Sequence, residues 1–194
     1  MANRAPGSLG FVQDFVNTLD VEQSADDLRS PEKLREWLAG RGLLTEAAGE
    51  AVTPADLARA VEVREALRRL LVANNGGARS QADVEVLDRV ALAAGLRPRF
   101  ARSAAHVALE PAAPGVAGGL GRLLAVVAGA MNDGSWVRLK ACAEHSCQWA
   151  FYDRTKNHSG HWCEMAVCGN RSKARQFRQR RRAGAGPSPT ATGP

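Results

Sequence analysis

All four cysteines of this chain fall within 27 residues: Cys142, Cys147, Cys163 and Cys168. They form two pairs, each with four intervening residues, and fifteen residues separate the pairs. A tight turn lets each pair present two sulfurs to one ion, and the span between is long enough for a hairpin. Thiolates are soft donors that select zinc or iron over magnesium or calcium. Four of them complete a tetrahedral zinc site, with Zn–S near ~2.3 Å, and leave no open position for hydrolysis. The pattern predicts one structural Zn2+ on Cys142, Cys147, Cys163 and Cys168. Its binding would supply the folding energy that a module with few apolar residues lacks. A rubredoxin-type iron site is the lesser alternative, because its cysteine loops are usually shorter. His145, His158 and His161 crowd the site and are expected beside it, not as ligands.

The segment after the last cysteine suggests a second kind of chemistry. Arg171, Arg175, Arg178 and Arg182 recur at i, i+4, i+7 and i+11, one face of a helix. Gly169 is expected to take a positive φ beside the metal, Asn170 to cap the helix, and Ala174 and Phe177 to pack on the zinc module. Cations in a first helical turn oppose the helix dipole, and a bound phosphate would reverse that penalty. Residues 138–182 hold eleven Lys/Arg against three acids, a net +8, while the rest of the chain is −2. A basic excess confined to one segment points to an acidic partner there, and nucleic acid is the commonest. Arg171, Lys173, Arg175 and Arg178 are the expected nucleic-acid contacts, with Arg154 and Lys156 at the tip of the inter-pair hairpin as further candidates. Most contacts of this kind grip phosphates and do not read bases.

The elements that must carry these residues follow from periodicity. The stretch between the cysteine pairs predicts a hairpin of Trp149–Tyr152 with His161–Cys163. Two knuckles, a hairpin and a helix have a treble-clef-like layout. Upstream, apolar residues at helical spacing predict a helix over Leu9–Leu19. Ser30-Pro31-Glu32 and Thr53-Pro54-Ala55-Asp56 are helix starts, and Ser80-Gln81-Ala82-Asp83 is a candidate capping box. Leu96–Ala101 and His106–Glu110 alternate as a β-hairpin, and Leu120–Met131 is an apolar helix. The fold class expected is mainly α. Residues 1–135 form a helical domain with one hairpin, residues 136–183 the zinc finger, and residues 184–194 a disordered Gly/Pro/Ser/Thr-rich tail. In the helical domain, Asn17 and Thr18 end the first helix and are expected to cap it or bond a neighbouring loop. Asn17, with Asp14 and Trp37, is also a candidate small-molecule pocket.

Trp162-Cys163-Glu164-Met165-Ala166-Val167-Cys168-Gly169-Asn170-Arg171 resembles the signature of the bacterial CGNR zinc fingers, whose name-giving tetrad is Cys168-Gly169-Asn170-Arg171. Cys142, Cys147, Trp149-Ala150-Phe151-Tyr152-Asp153 and Lys173-Ala174-Arg175 extend the resemblance over residues 138–182. One departure is His158-Ser159-Gly160-His161, where that family often carries more arginine. In that family the finger follows a helical ABATE domain of stress-induced transcription regulators. Phe15-Val16-Asn17-Thr18-Leu19 resembles the Asn-Thr motif of that domain, and the Trp37 helix and later hairpin fit its layout. The resemblance implies a DNA-binding transcription regulator of the stress response.

Composition narrows the alternatives. Met1–Gly10 has no apolar leader, and Leu120–Met131 is short for a bilayer span and carries Arg122, so a cytoplasmic protein without membrane contact is expected. Reduced cysteines in that compartment favour metal over disulfides. The residues offer no Ser/His/Asp order, Gly-rich phosphate loop or paired carboxylates, so an enzyme is not expected. A short helix makes few contacts, which favours a homodimer on DNA. Two other readings stay open. One is a zinc-stabilised module that binds protein or RNA without sequence-specific DNA binding. The other is a switch in which the thiolates sense oxidants or metal.

Overall fold

The computed structural model describes residues 3–44, 51–100 and 107–184, with side chains to residue 181. Of the tail expected over 184–194, residues 185–194 lie outside the described residues, as do the tip of the expected hairpin, 101–106, and the side chain of Arg182, while Gly184 closes the last helix.

Helix α1 spans Leu9–Val16 and buries Leu9, Val12, Phe15 and Val16. It stops three residues short of the expected end, because Thr18 turns its hydroxyl back to the Phe15 carbonyl (2.8 Å). Leu19–Asp20 (β1) then pairs with Ala25–Asp26 (β2), a hairpin too short for the sequence to signal. Helix α2 is Pro31–Ala39, capped by Ser30, whose hydroxyl accepts from the Lys33 amide. Helix α3, Pro54–Asn74, opens on a full capping box between Thr53 and Asp56. Helix α4, Gln81–Ala94, ends at Gly95 in the left-handed region (φ 60°), but Ser80 makes no side-chain cap, so its expected box is absent. Arg97–Phe100 (β3) and Val107–Glu110 (β4) form the expected antiparallel hairpin.

Helix α5, Gly115–Asn132, is longer than expected, at 18 residues. Among the described residues it alone is long and apolar enough to cross a membrane, with mean hydropathy 1.3. It serves here as the central core helix. Leu120 and Leu123 are fully buried against α1, α3 and α4, and Arg122 donates to the Leu43 carbonyl (2.8 Å).

Leu139–Ala141 (β5) pairs with Ala150–Tyr152 (β6), and Asn170–Gly184 is helix α6. The finger thus has a hairpin, but β6 pairs with the strand before the first cysteine and not with His161–Cys163. The first knuckle is the loop of that hairpin. Both strands are buried throughout, and Leu139, Ala141, Ala150 and Tyr152 join Phe15, Leu67 and Leu71 in one apolar cluster. The change in sequence character near Trp136 therefore does not separate two cores, since Trp136 itself is part of the shared one.

Candidate metal centre and nucleic-acid interface

Hairpin β5–β6 positions the first cysteine pair. The Cys142 amide bonds the Trp149 carbonyl (3.0 Å), and the Cys147 and Gln148 amides bond the Glu144 carbonyl (2.9 and 3.1 Å). Gln148 turns through a positive φ of 50° to re-enter β6. Cys163 follows the 153–162 loop. Cys168 lies in a wide π-type turn, Met165–Gly169, that runs straight into α6, with its amide on the Glu164 carbonyl (2.9 Å).

The four sulfurs lie within 4.8 Å of one another. Cys147 to Cys163 is 3.6 Å and Cys163 to Cys168 is 3.7 Å. A tetrahedron with Zn–S of ~2.3 Å has S···S edges of ~3.8 Å, so the cage fits that ion. The charges point the same way. Cys142 is pulled down to about 2 by hydrogen bonds from Cys147 and Cys163. Those same contacts with Cys142 drive Cys147 and Cys163 up. Burial, then the charge on Cys142, pushes Cys168 up to about 12. One thiolate forms at its neighbours' expense, and four can coexist only around a cation. The cysteines are thus positioned for one structural zinc. Among the described residues no histidine joins them: His161 bonds Asn75 Oδ1 (2.7 Å), and the His158 carbonyl accepts from Lys140.

The arginines expected to meet nucleic acid divide into two groups. Arg175 makes a bidentate bond to Glu144 (2.7 Å to each oxygen), whose side chain is fully buried and also accepts from Ser146 (3.1 Å). The Arg175 guanidinium, ahead of Ser146, holds the Glu144 carboxyl below its usual range despite burial. Arg171 bonds Ser146 (3.3 Å) and, across to the β1–β2 turn, Glu22 (2.8 Å). The face bearing Cys168, Ser172 and Arg175 is thus turned into the finger. Ala174 and Phe177, expected to pack there, are exposed instead. Gly169 has an ordinary φ; its missing Cβ leaves room for the Met165 thioether. Asn170 is no cap, because the helical turn already starts after Glu164, and its amide donates to the Ala166 carbonyl (2.8 Å). Arg171 and Lys173 are therefore not in a first turn, and the anion site argued from the helix dipole loses its basis.

Lys173, Arg178, Arg180 and Arg181 are exposed and make no ion pair among the described residues. Lys156 is exposed on the 153–160 loop, whereas Arg154 donates to the Arg4 carbonyl (2.9 Å) and stands over Tyr152. Two substitutions separate the groups. Arg175→Ala strands a buried carboxylate and is expected to lower holo-protein stability by about 2–3 kcal/mol, below a fully buried pair because the arginine is half-exposed. Lys173→Ala should stay within about 0.5 kcal/mol of wild type. Urea titration of both variants checks this, and equal losses would contradict the division.

The three candidate pocket residues are engaged differently. Asn17 acts as a splint across the two parts of the chain. Its Oδ1 accepts from the Ala150 amide (2.7 Å) and its Nδ2 donates to the Ala150 carbonyl (3.0 Å). Asp14 is held by Arg4 (2.7 and 2.8 Å). Trp37 packs on Phe15 under the Arg41 guanidinium (4.0 Å) and lines an open cleft of about 400 Å³ with Asp27, Arg29, Lys33, Glu36 and Arg41. A larger cleft of about 640 Å³ lies between β4, α5 and Pro6–Leu9.

Several structural residues had no clear sequence signal. Gln13 donates to the Ala150 carbonyl (3.0 Å), and Asn74 bonds the Trp136 and Leu139 carbonyls (2.9 Å each). Asn75 bonds the Ala141 and His161 carbonyls (2.9 and 2.8 Å). Arg68, buried in α3, joins the Val16 carbonyl to the Gln148 carbonyl (2.7 and 3.1 Å). Polar side chains on apolar helix faces, at Gln13, Arg64 and Arg68, were the available hint.

Residues 138–181 match the family model of the CGNR zinc finger. Residues 10–133 match the ABATE model, described as "Putative stress-induced transcription regulator". No curated protein matches the chain.

Proposed function

Since the chain belongs to the ABATE family and ends in a CGNR zinc finger, we propose that it is a transcription regulator that grips DNA with the outward side of α6. The observation that carries this reading is the set of α6 cations without an ion pair among the described residues: Lys173, Arg178, Arg180 and Arg181, with no acid after Glu164 in the sequence. Arg171 and Arg175 fasten the helix to the knuckle and orient those four. Lys156 is a fifth cation available for phosphate. In this reading the helical domain is the platform that fixes the finger, and two copies acting together supply the contacts that one short helix lacks. The Trp37 cleft, lined by Arg29, Lys33 and Arg41 beside Asp27 and Glu36, is the place for a small effector.

The test is equilibrium binding of the zinc-loaded chain to a labelled duplex, beside the variant Lys173→Ala/Arg178→Ala/Arg180→Ala. Each phosphate contact removed weakens binding and lowers its salt dependence. The triple variant is expected to lose roughly 30-fold or more while keeping its zinc. A variant that binds as wild type does would end this assignment. Binding only to RNA or to an acidic protein would favour an interaction module in place of a DNA-binding regulator.

A further inference from the structure

Phe177 is the one aromatic side chain of the finger that the fold does not use. Tyr152 and Phe151 are buried in β6, and Trp149 and Trp162 pack on the cysteine cluster. Phe177 instead stands 58% exposed on α6. Lys173, Arg180 and Arg181 lie four before, three after and four after it, so all share its face. That face points away from the Arg171–Arg175 side clamped to the finger. The Arg181 guanidinium stands 5.9 Å from the ring centroid. A large apolar ring ringed by cations and free of acids complements a polyanion that also offers flat apolar surface. Nucleic acid has both, in its phosphates and its bases.

Resting on the nucleic-acid reading above, we propose that Phe177 stacks on an exposed nucleobase face while Lys173, Arg180 and Arg181 hold the flanking phosphates. The ligand class is nucleic acid whose bases can be reached: a duplex that unstacks at one step under an inserted apolar wedge, or an unpaired strand. The geometry makes Phe177 a selector of deformable or unpaired sites that phosphate contacts alone cannot distinguish.

The zinc-loaded full chain and its Phe177→Ala, Phe177→Trp and Lys173→Ala variants would be titrated with three labelled probes at two salt concentrations. The probes are a fully paired duplex, the same duplex with one central mismatch, and its single strand. Wild type is expected to prefer the mismatched duplex or the single strand. Phe177→Ala should weaken that binding roughly 5- to 150-fold, the effect of losing one base stack, and abolish the preference. Its salt slope should match wild type, whereas Lys173→Ala should lower the slope by about one. Phe177→Trp should restore the affinity. The inference is overturned if Phe177→Ala binds within twofold of wild type, if its loss appears as a changed slope, or if Phe177→Trp behaves like alanine. A fall in zinc content, denaturation midpoint or oligomer mass in Phe177→Ala would place the ring in packing and overturn it too. No binding of any probe by wild type would instead remove the nucleic-acid reading on which it rests.

Discussion

Stripping the metal is expected to unfold far more than the finger. Without a cation among the four sulfurs, mutual repulsion and burial oppose their joint ionisation, and the knuckles lose the bond that closes them. The first knuckle is the loop of hairpin β5–β6, and both strands lie in the same apolar cluster as α1 and α3. If the hairpin opens, the polar side chains that hold its backbone lose their partners. Asn17 and Gln13 lose Ala150, Asn74 loses Leu139, Asn75 loses Ala141, and buried Arg68 loses Gln148. A buried polar group left unsatisfied costs about 1–3 kcal/mol, so a few such losses are comparable to the whole stability of a domain. Chelation should therefore lower the midpoint of a single thermal transition by about 10–20 °C, taking roughly 5 kcal/mol as the stability lost. Hydrogen exchange after chelation locates the loss. Amides of α1 and of the last turns of α3 should lose protection together with those of the knuckles. Protection lost in residues 138–181 alone would show a finger that folds independently of its platform.

Lys140→Ala is expected to cost nearly as much, although the ion pair it breaks is buried. Lys140 and Asp153 are 3% and 2% exposed and pair at 2.8 Å. The ammonium also donates to the His158 and Gly160 carbonyls, and Asp153 accepts from the Thr155 hydroxyl and amide and from the Gly160 amide. The pair ties the 153–160 loop, including Lys156, to β5. A side chain on Gly160 would collide with Asp153, so the loop closes only around glycine. Removing the lysine leaves a buried carboxylate without its counter-charge, a loss of about 3–5 kcal/mol. Replacing both partners with apolar residues should cost less than either single change implies. Burial would raise the Asp153 carboxyl, but Lys140, Thr155 and Gly160 together hold it well below the ordinary carboxylate range. A depressed folded value means this stabilisation is complete above the unfolded carboxylate value of ~3.9 and is lost as pH falls through the folded one. Wild-type stability should therefore stay level for this pair down to about pH 4 and decline below it, whereas in Lys140→Ala the buried carboxyl has lost the partner that holds it down, so the acid decline should be shallower and the deficit against wild type should shrink as pH falls. Urea midpoints measured across that range decide the point, and identical acid limbs in the two proteins would contradict it.

The contrast between what the sequence announced and what it hid follows from the range of each interaction. Ser30 and Thr53 act on amides three residues away, and Gly95 on its own φ, so their helix boundaries were legible. The cysteine spacing identified the cage because a tetrahedral ion demands four donors whatever surrounds them. The partner of β6 was not legible: Leu139–Ala141 is three residues long, too short for alternation to register, and the pairing spans the knuckle. The periodicity of Arg171, Arg175 and Arg178 correctly gave a helix face. It could not say that the first part of that face meets Glu144, a residue 31 positions away from Arg175 and fully buried. Asn17 posed the same difficulty, since its alternative readings differed only in what lay opposite, and that is a β6 backbone 133 residues on. Charge excess survived the move from sequence to structure as a property of the segment, while the residues expressing it are Lys173, Arg180 and Arg181 on the outward side of α6 and Arg178 beyond the clamped turns.

That placement makes the salt dependence of binding the most direct measure of the account. Lys173, Arg178, Arg180, Arg181 and Lys156 are exposed cations of the finger with neither a hydrogen-bond nor an ion-pair partner among the described residues, whereas exposed Arg154 is tied to the Arg4 carbonyl. Five phosphate contacts on a duplex predict a slope of log K against log salt of about −4.5, and so about a 500-fold loss of affinity between 50 and 200 mM salt. Titrating the zinc-loaded chain with a labelled duplex across that range should give such a slope. A slope near zero, or no duplex binding at the lowest salt, would contradict the claim that these cations form a nucleic-acid-binding face.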